Sequence, residues 1–256
     1  MTPTDADVLA AVDRSLVAAA ARDRAGWLRL FTADGRVEDP VGSRPHVGAA
    51  QIARFYDTFI GPRQITAHRD ADFVSGPTVV RDLTLGVRMN SGVAMAIPAI
   101  LRYTVRDTEH GLAIAELRAY WELPAMMLQF ARRGRAAVPA GLAMTRALLV
   151  NQRVTGTVGF LRGLRPPARR ERAVLLALLT ALAAGDELAT RRVLGPAALV
   201  TVGRDVLAAR MRGATWTKVI CAGRAVTASV STRDGRAVLL ADFTEQATIE
   251  RLQFFG

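Results

Sequence analysis

Two stretches of the chain, LVAAAARDRAGWLRLF from Leu16 and LTALAAGDELATRRVL from Leu179, lie over one another at a constant offset of 163. Beyond them ALVTVG falls on a short strand, DVLAARM on a shortened third helix, and RAVTASVSTRDGRAVLLADF on a hairpin with its turn at Asp234-Gly235. The closing run ATIERLQFF lies over LAIAELRAYW. A chain of 256 residues has room for one large domain or two small ones, and 50% hydrophobic content is enough for real cores. The repeat selects two copies of one module, the second trimmed.

Within the first copy, Val8, Leu9, Val12, Leu16 and Val17 recur at helical spacing across residues 6–21. Trp27, Leu28, Leu30 and Phe31 predict a second short helix after Asp23, broken at Gly35, and Val37 opens a strand ending at Pro40. AAQIARFYDTFI is a third helix with Ile52, Phe55, Tyr56 and Phe59 on one face. Strand-like runs follow over 71–75, 78–89, 93–105 and 112–122. Helices followed by a meander predict an α+β module, cone-like, with three helices packed on a curved antiparallel sheet, present in tandem. Alternation groups Met95, Ile97, Ala99, Leu101 and Tyr103 on one face, and Leu117, Ala119 and Trp121 on one face of the last strand. Such a face either walls a cavity for a flat apolar ligand or fills the core itself.

The net charge of +11 is unevenly spread. Residues 1–120 hold 14 Arg against 14 acids, residues 121–170 nine Arg against one Glu, and residues 171–256 11 Lys or Arg against eight acids. The excess belongs to a central segment, without zinc-ligand spacing, ribonucleoprotein aromatics or a phosphate-binding glycine loop, so no nucleic-acid partner is expected. The boundaries drawn are 1–122, 123–170 as an Arg-rich helical connector, and 171–256. The connector is expected to dock on its own domains, with contact to an anionic membrane surface as the alternative. No run of about 18 apolar residues implies a membrane span. The polar start MTPTDADVLA lacks a secretory signal, and the single cysteine, Cys221, excludes an internal disulfide, so a cytoplasmic location is expected. No residue pattern implies a metal or a cofactor.

The stretch VEDPVGSRPHVGAAQIARFYDTF sets Asp39 at the end of an apolar segment, between Glu38 and Pro40 and ahead of a Gly-rich loop and a helix. With the strand ending in LRY, EHG in the following turn and RAYW at the module's end, it resembles the bacterial ketosteroid isomerases, of the superfamily of nuclear transport factor two and polyketide cyclases. The resemblance spans about residues 6–122, and the second module resembles only the superfamily's architecture. It implies that Asp39 is the general base moving a proton between two carbons of an enone, that Tyr56 shapes the pocket and that Trp121 packs on the substrate. The family's oxyanion donors, a Tyr and a protonated Asp, fall here on Ser15 and Ala99, leaving Ser15 and Tyr103 as replacement donors. The pocket is therefore expected to involve Ser15, Tyr56, Met95, Ala99, Leu101, Tyr103 and Trp121.

The activity implied is a base-assisted reaction on an apolar polycyclic or polyketide-like ketone, without the usual oxyanion hole. A polyketide-type cyclase and a non-catalytic steroid- or lipid-binding protein are the alternatives. An epoxide hydrolase would need a second carboxylate, and Glu38 points away from Asp39 by strand alternation. Family members pair through their sheets, so an internal pseudo-dimer or a homodimer is expected. At the offset of 163, Val202 falls where Asp39 sits, and the second module has no equivalent acid.

Overall fold

The structure, a computed structural model, describes residues 3–89, 93–132 and 169–256. It divides into two compact units, Met1–Leu164 and Arg165–Gly256. Both are α+β.

In the first unit, α1 (Asp5–Ala21) begins with a capping box, in which Thr4 Oγ1 accepts from Asp7 N and Asp7 Oδ2 accepts from Thr4 N. A left-handed Arg22 ends the helix. Asp23 then caps α2 (Arg24–Arg29) by accepting from Gly26 N at 2.8 Å. β1 (Phe31–Glu38) starts earlier than the sequence reading placed it and runs through Gly35, which was read as a break. The register against its neighbour slips between Phe31 and Arg36. A Cβ at Gly35 would stand 2.9 Å from Thr32 O, so glycine permits the close backbone approach of this irregular strand. Phe31, assigned to the second helix from its spacing, is a strand residue whose ring packs 4.6 Å from that of Trp27.

After β2 (His46–Val47) come α3 (Ala49–Phe55) and a π-helical turn, Tyr56–Ile60. The meander is β3 (Gln64–Ser75), β4 (Thr78–Arg88), β5 (Ala94–Thr108) and β6 (Gly111–Tyr120). The sheet order is β2-β1-β6-β5-β4-β3, antiparallel except for the β1–β6 pair. Val8 and Val12 of α1, and Ile52 and Phe55 of α3, join Ala99, Leu101, Tyr103, Leu117 and Ala119 in one buried cluster. The period-3.6 faces of the helices therefore meet the period-2 face of the sheet.

A buried ion network fastens α1 to the sheet. Arg81 of β4 has no exposed side-chain surface; its Nε and Nη2 donate to Asp72 on β3 at 2.6 and 2.9 Å, and Nη2 donates to Asp13 of α1 at 2.6 Å. Arg81 and Asp72 are direct cross-strand partners, so the pairing of β3 with β4 sets up the fork.

α4 (Leu123–Ala131) follows β6, and its Leu123 and Met126 are buried with Val93, Met95 and Ile97. The start of the stretch read as a connector thus contributes to the apolar wall of the first unit. The expectation of membrane-surface contact falls mainly on residues 133–168, which lie outside the described residues.

The second unit is formed by α5 (Arg169–Ala184), α6 (Glu187–Leu194), β7 (Leu199–Val200), α7 (Arg204–Met211), β8 (Thr215–Ala222), β9 (Ala225–Thr232), β10 (Gly235–Phe243) and β11 (Ile249–Phe255). Its sheet order is β7-β11-β10-β9-β8, again with the first strand parallel to the last. Asp186 caps α6 through Ala189 N at 2.9 Å, at the position that the offset assigns to Asp23. Leu175, Leu178, Leu179 and Leu182 of α5 fill its core against the sheet. The β9–β10 turn differs by one residue from the reading: Thr232 pairs with Gly235, so Arg233-Asp234 is the two-residue loop, and Gly235 takes φ of +129°. Glycine is suited to that backbone conformation.

Candidate active site

Asp39 and Trp121 meet because the strands that carry them run parallel. Val37 pairs with Leu117 and Glu38 with Arg118, and Val41 N donates to Ala119 O at 2.8 Å. Two residues beyond Val37 and four beyond Leu117, alternation returns both side chains to the inner face. There Trp121 Nε1 donates to Asp39 Oδ1 at 2.5 Å. Glu38 turns the other way, accepting from Gly42 N at 2.9 Å and lying 3.3 Å from Arg118 Nε.

Asp39 lines a cavity of about 100 Å³. Among the described residues its only charged wall groups are Asp39 and Arg63; the rest of the lining is aliphatic, aromatic or methionine, including Phe59, Leu85, Met95 and Met126. Asp39 is half-buried as a residue, and the carboxyl faces this cavity. Burial raises its pKa from 3.8 to about 6, against the hydrogen bond from Trp121 and the charge of Arg63, both of which favour the carboxylate. That value suits a group that must both take and return a proton near neutrality.

Arg63 was not singled out in the sequence. It follows Gly61-Pro62 in a turn closed by Arg63 N to Ile60 O at 3.0 Å. Its residue surface is 7% exposed, Nη1 donates to Thr58 O at 2.7 Å, and the guanidinium lies 5.8 Å from the Phe59 ring centroid. Burial lowers its pKa to about 10, with the Asp39 charge acting in the opposite direction.

Of the residues expected along the pocket, Met95 and Trp121 line this cavity with Asp39. Tyr56 does not; its ring packs 5.4 Å from Trp27, and its hydroxyl is buried without a hydrogen-bond partner among the described residues. Ser15, Ala99, Leu101 and Tyr103 are also outside the lining and are buried between α1 and the sheet. The reason is depth: the side chains of α1 reach this part of the sheet and fill it. Ser15 Oγ stands 2.8 Å from Val12 O and 3.1 Å from Tyr103 Oη. A hydroxyl has one proton, so Ser15 donates to Tyr103 only if it leaves Val12 O. Burial holds the Tyr103 phenol above its ordinary pKa, so it is a neutral donor.

Among the described residues no group of three or more His, Cys, Asp or Glu is placed to hold a metal ion, and no helix is long and apolar enough to cross a membrane.

Replacing Trp121 with Phe keeps an apolar ring and removes the indole donor. A hydrogen bond to a charged group contributes about 1.5–3 kcal/mol, so the Asp39 pKa should rise by about one to two units. A carboxyl-selective NMR titration of native protein and Trp121→Phe reads this directly. An unchanged midpoint would remove Trp121 from the control of Asp39.

Residues 12–110 match the family of SnoaL-like domains, and this part of the chain belongs to it, within the superfamily of nuclear transport factor two. Among solved structures, the Δ5-3-ketosteroid isomerase of Mycobacterium sp. is 32% identical; the match covers 46% of this chain and 95% of that one, with a TM-score of 0.43. A Mycobacterium tuberculosis protein in complex with estradiol-17β-hemisuccinate is 27% identical over 46% and 95% of the two chains, with a TM-score of 0.42. SalBIII, an epoxide hydrolase/cyclase-like enzyme of pyran ring formation in salinomycin, is 19% identical over 46% and 92%, with a TM-score of 0.40.

Proposed function

We propose that the first unit is a ketosteroid-isomerase-like enzyme in which Asp39 moves a proton on an apolar cyclic ketone. The observation that carries this reading is a carboxyl with its pKa raised to about 6, held by Trp121 in a wall that is apolar, among the described residues, apart from Arg63. Such a group takes a proton from the carbon beside the carbonyl and returns it elsewhere on the conjugated system. The cavity of about 100 Å³ is small beside the roughly 300–1,000 Å³ of sites for drug-sized ligands. A ketone of several rings therefore enters only if Met89, Met95 and Met126 swing aside, a motion suited to unbranched thioethers.

Ser15 and Ala99 stand where the resemblance places the two oxyanion donors. A missing donor costs about 2.7–4 kcal/mol of transition-state stabilisation, so turnover should be well below that of an isomerase carrying both. The same loss favours a second reading, in which Asp39 assists a ring closure of the polyketide-cyclase type that demands less of the oxyanion site. Epoxide hydrolysis has less support. No second carboxylate lines the cavity among the described residues, and Asp72 is held by Arg81.

The second unit is, in this reading, a trimmed copy of the same module. Its element order and the Asp23–Asp186 cap pair support that view, and Val202 replaces the acid at the offset position.

The test is a panel of β,γ-unsaturated cyclic ketones of one to four rings, with formation of the conjugated enone followed by absorbance. The base must be ionised, so kcat/KM should rise through about pH 6 and level off above it. Binding without enone formation for every member would leave the cyclase and binding-only readings in place of isomerisation.

A further inference from the structure

Two groups of opposite charge share one wall of a cavity whose remaining lining, among the described residues, is apolar. The carboxylate has an evident use in proton transfer; the guanidinium has none in that scheme. Asp39 loses its negative charge whenever it holds a proton, while Arg63, with its pKa at about 10, keeps its positive charge at neutral pH. The field of Arg63 inside the cavity is then least opposed at the stage when a ligand has lost that proton.

We infer that Arg63 is the cavity's recognition site for negative charge, and that its ligand is an apolar cyclic molecule with one oxygen that is anionic or becomes anionic during reaction. As Asp39 takes the proton from carbon, the electron pair of the broken C–H bond shifts onto the carbonyl oxygen. The charge formed there faces the guanidinium across an apolar space, where Coulomb interactions are stronger than in water. Return of the proton from Asp39 to the far carbon of the conjugated system moves the pair back and regenerates the ketone, with no change of oxidation level. Arg63 thereby supplies part of what the residues at Ser15 and Ala99 do not. It can do so without moving, since Thr58 O and the Phe59 ring already hold it. Charge and site of origin also orient the ligand: its oxygen lies toward Arg63 and its apolar body toward the methionines.

The inference rests on the assignment of this cavity as the ligand site, not on turnover. The probes are 2-naphthol and its uncharged isostere 2-methoxynaphthalene, measured by fluorescence and absorbance in the Asp39→Asn background, which mimics the protonated acid. Naphthol is expected to bind as the naphtholate at a pH where it is neutral in solution. Its affinity should exceed that of the methyl ether by about 10- to 100-fold. Adding Arg63→Met should abolish the ionisation and that preference while leaving 2-methoxynaphthalene binding within about threefold, and Arg63→Lys should keep part of both.

A preference unchanged by Arg63→Met would overturn the inference and leave Arg63 as a strut for Thr58 O. If the Met variant does not fold, the Asp39→Asn protein alone decides, because a bound naphthol that stays neutral overturns it equally. Naphtholate capture in a protein that converts no ketone would uphold Arg63 and defeat the isomerase reading. If neither probe binds, the cavity is not the ligand site and both fail.

Discussion

Asp39→Asn is expected to lower kcat/KM for the true substrate by about 10²- to 10⁴-fold, the usual contribution of a positioned acid or base, while leaving the fold intact. Asn has the shape of the protonated acid, and its amide oxygen still accepts from Trp121 Nε1. The same variant should be more stable than the native protein in alkaline solution. The folded-state pKa of Asp39, about 6, lies above its unfolded value, so folding favours the protonated form. The stabilising contribution of Asp39 is full below about pH 4 and is lost as pH rises through about 6. A shift of that size corresponds to about 2–3 kcal/mol, which the Asn variant no longer loses at pH 8. Thermal unfolding at pH 4 and pH 8 separates the two: near-equal midpoints at the lower pH, and a higher midpoint for the variant at the upper one. Equal stability at both would mean that water reaches the carboxyl freely.

Arg81→Leu should have the largest effect on stability, about 3–5 kcal/mol of destabilisation. Removing the buried member of an ion network leaves the others with weaker, more exposed pairing. Asp72, whose side chain is 16% exposed, would keep the long contact to Arg69 Nη1 at 3.5 Å in place of the fork, whereas Asp13 at 33% keeps Arg69 Nη1 at 3.1 Å and can turn toward water. The loss should therefore be recovered in part by the double variant Arg81→Leu, Asp72→Leu, which fills the space with apolar groups. Urea unfolding in a Trp216→Phe background, followed by the fluorescence of Trp27 and Trp121, reads this loss. A single variant as stable as the native protein would show that the network does not hold α1 to the sheet.

These expectations differ in how far the sequence disclosed them. Asp39 was visible through the VEDP motif that carries the resemblance, and Trp121 through strand alternation as well; the parallel pairing that brings their strand ends together was not. The inner faces of β5 and β6 were legible through the same alternation, and Ala99, Leu101, Tyr103, Leu117 and Ala119 all lie in the core cluster. Alternation does not give depth along the strand. It could not separate Met95, at the cavity, from Tyr103, which lies under α1 beside Ser15. Gly35 read as a helix stop because glycine signals a break more often than a close backbone approach inside a strand. Arg63 was missed because an arginine after Gly-Pro looks like a solvated turn residue; only the tertiary packing of the π-helical turn buries it. Met126 was missed because Trp121 reads as the end of a module, whereas the chain continues into α4 and adds another wall to the cavity.

The most direct test of the account is the pH dependence of enone formation from an unconjugated apolar ketone by the native protein and by Asp39→Asn. The account predicts a native rate that rises with a midpoint near pH 6 and an Asn variant at least about 100-fold slower across the range. An Asn variant that matches the native rate at every pH would contradict it.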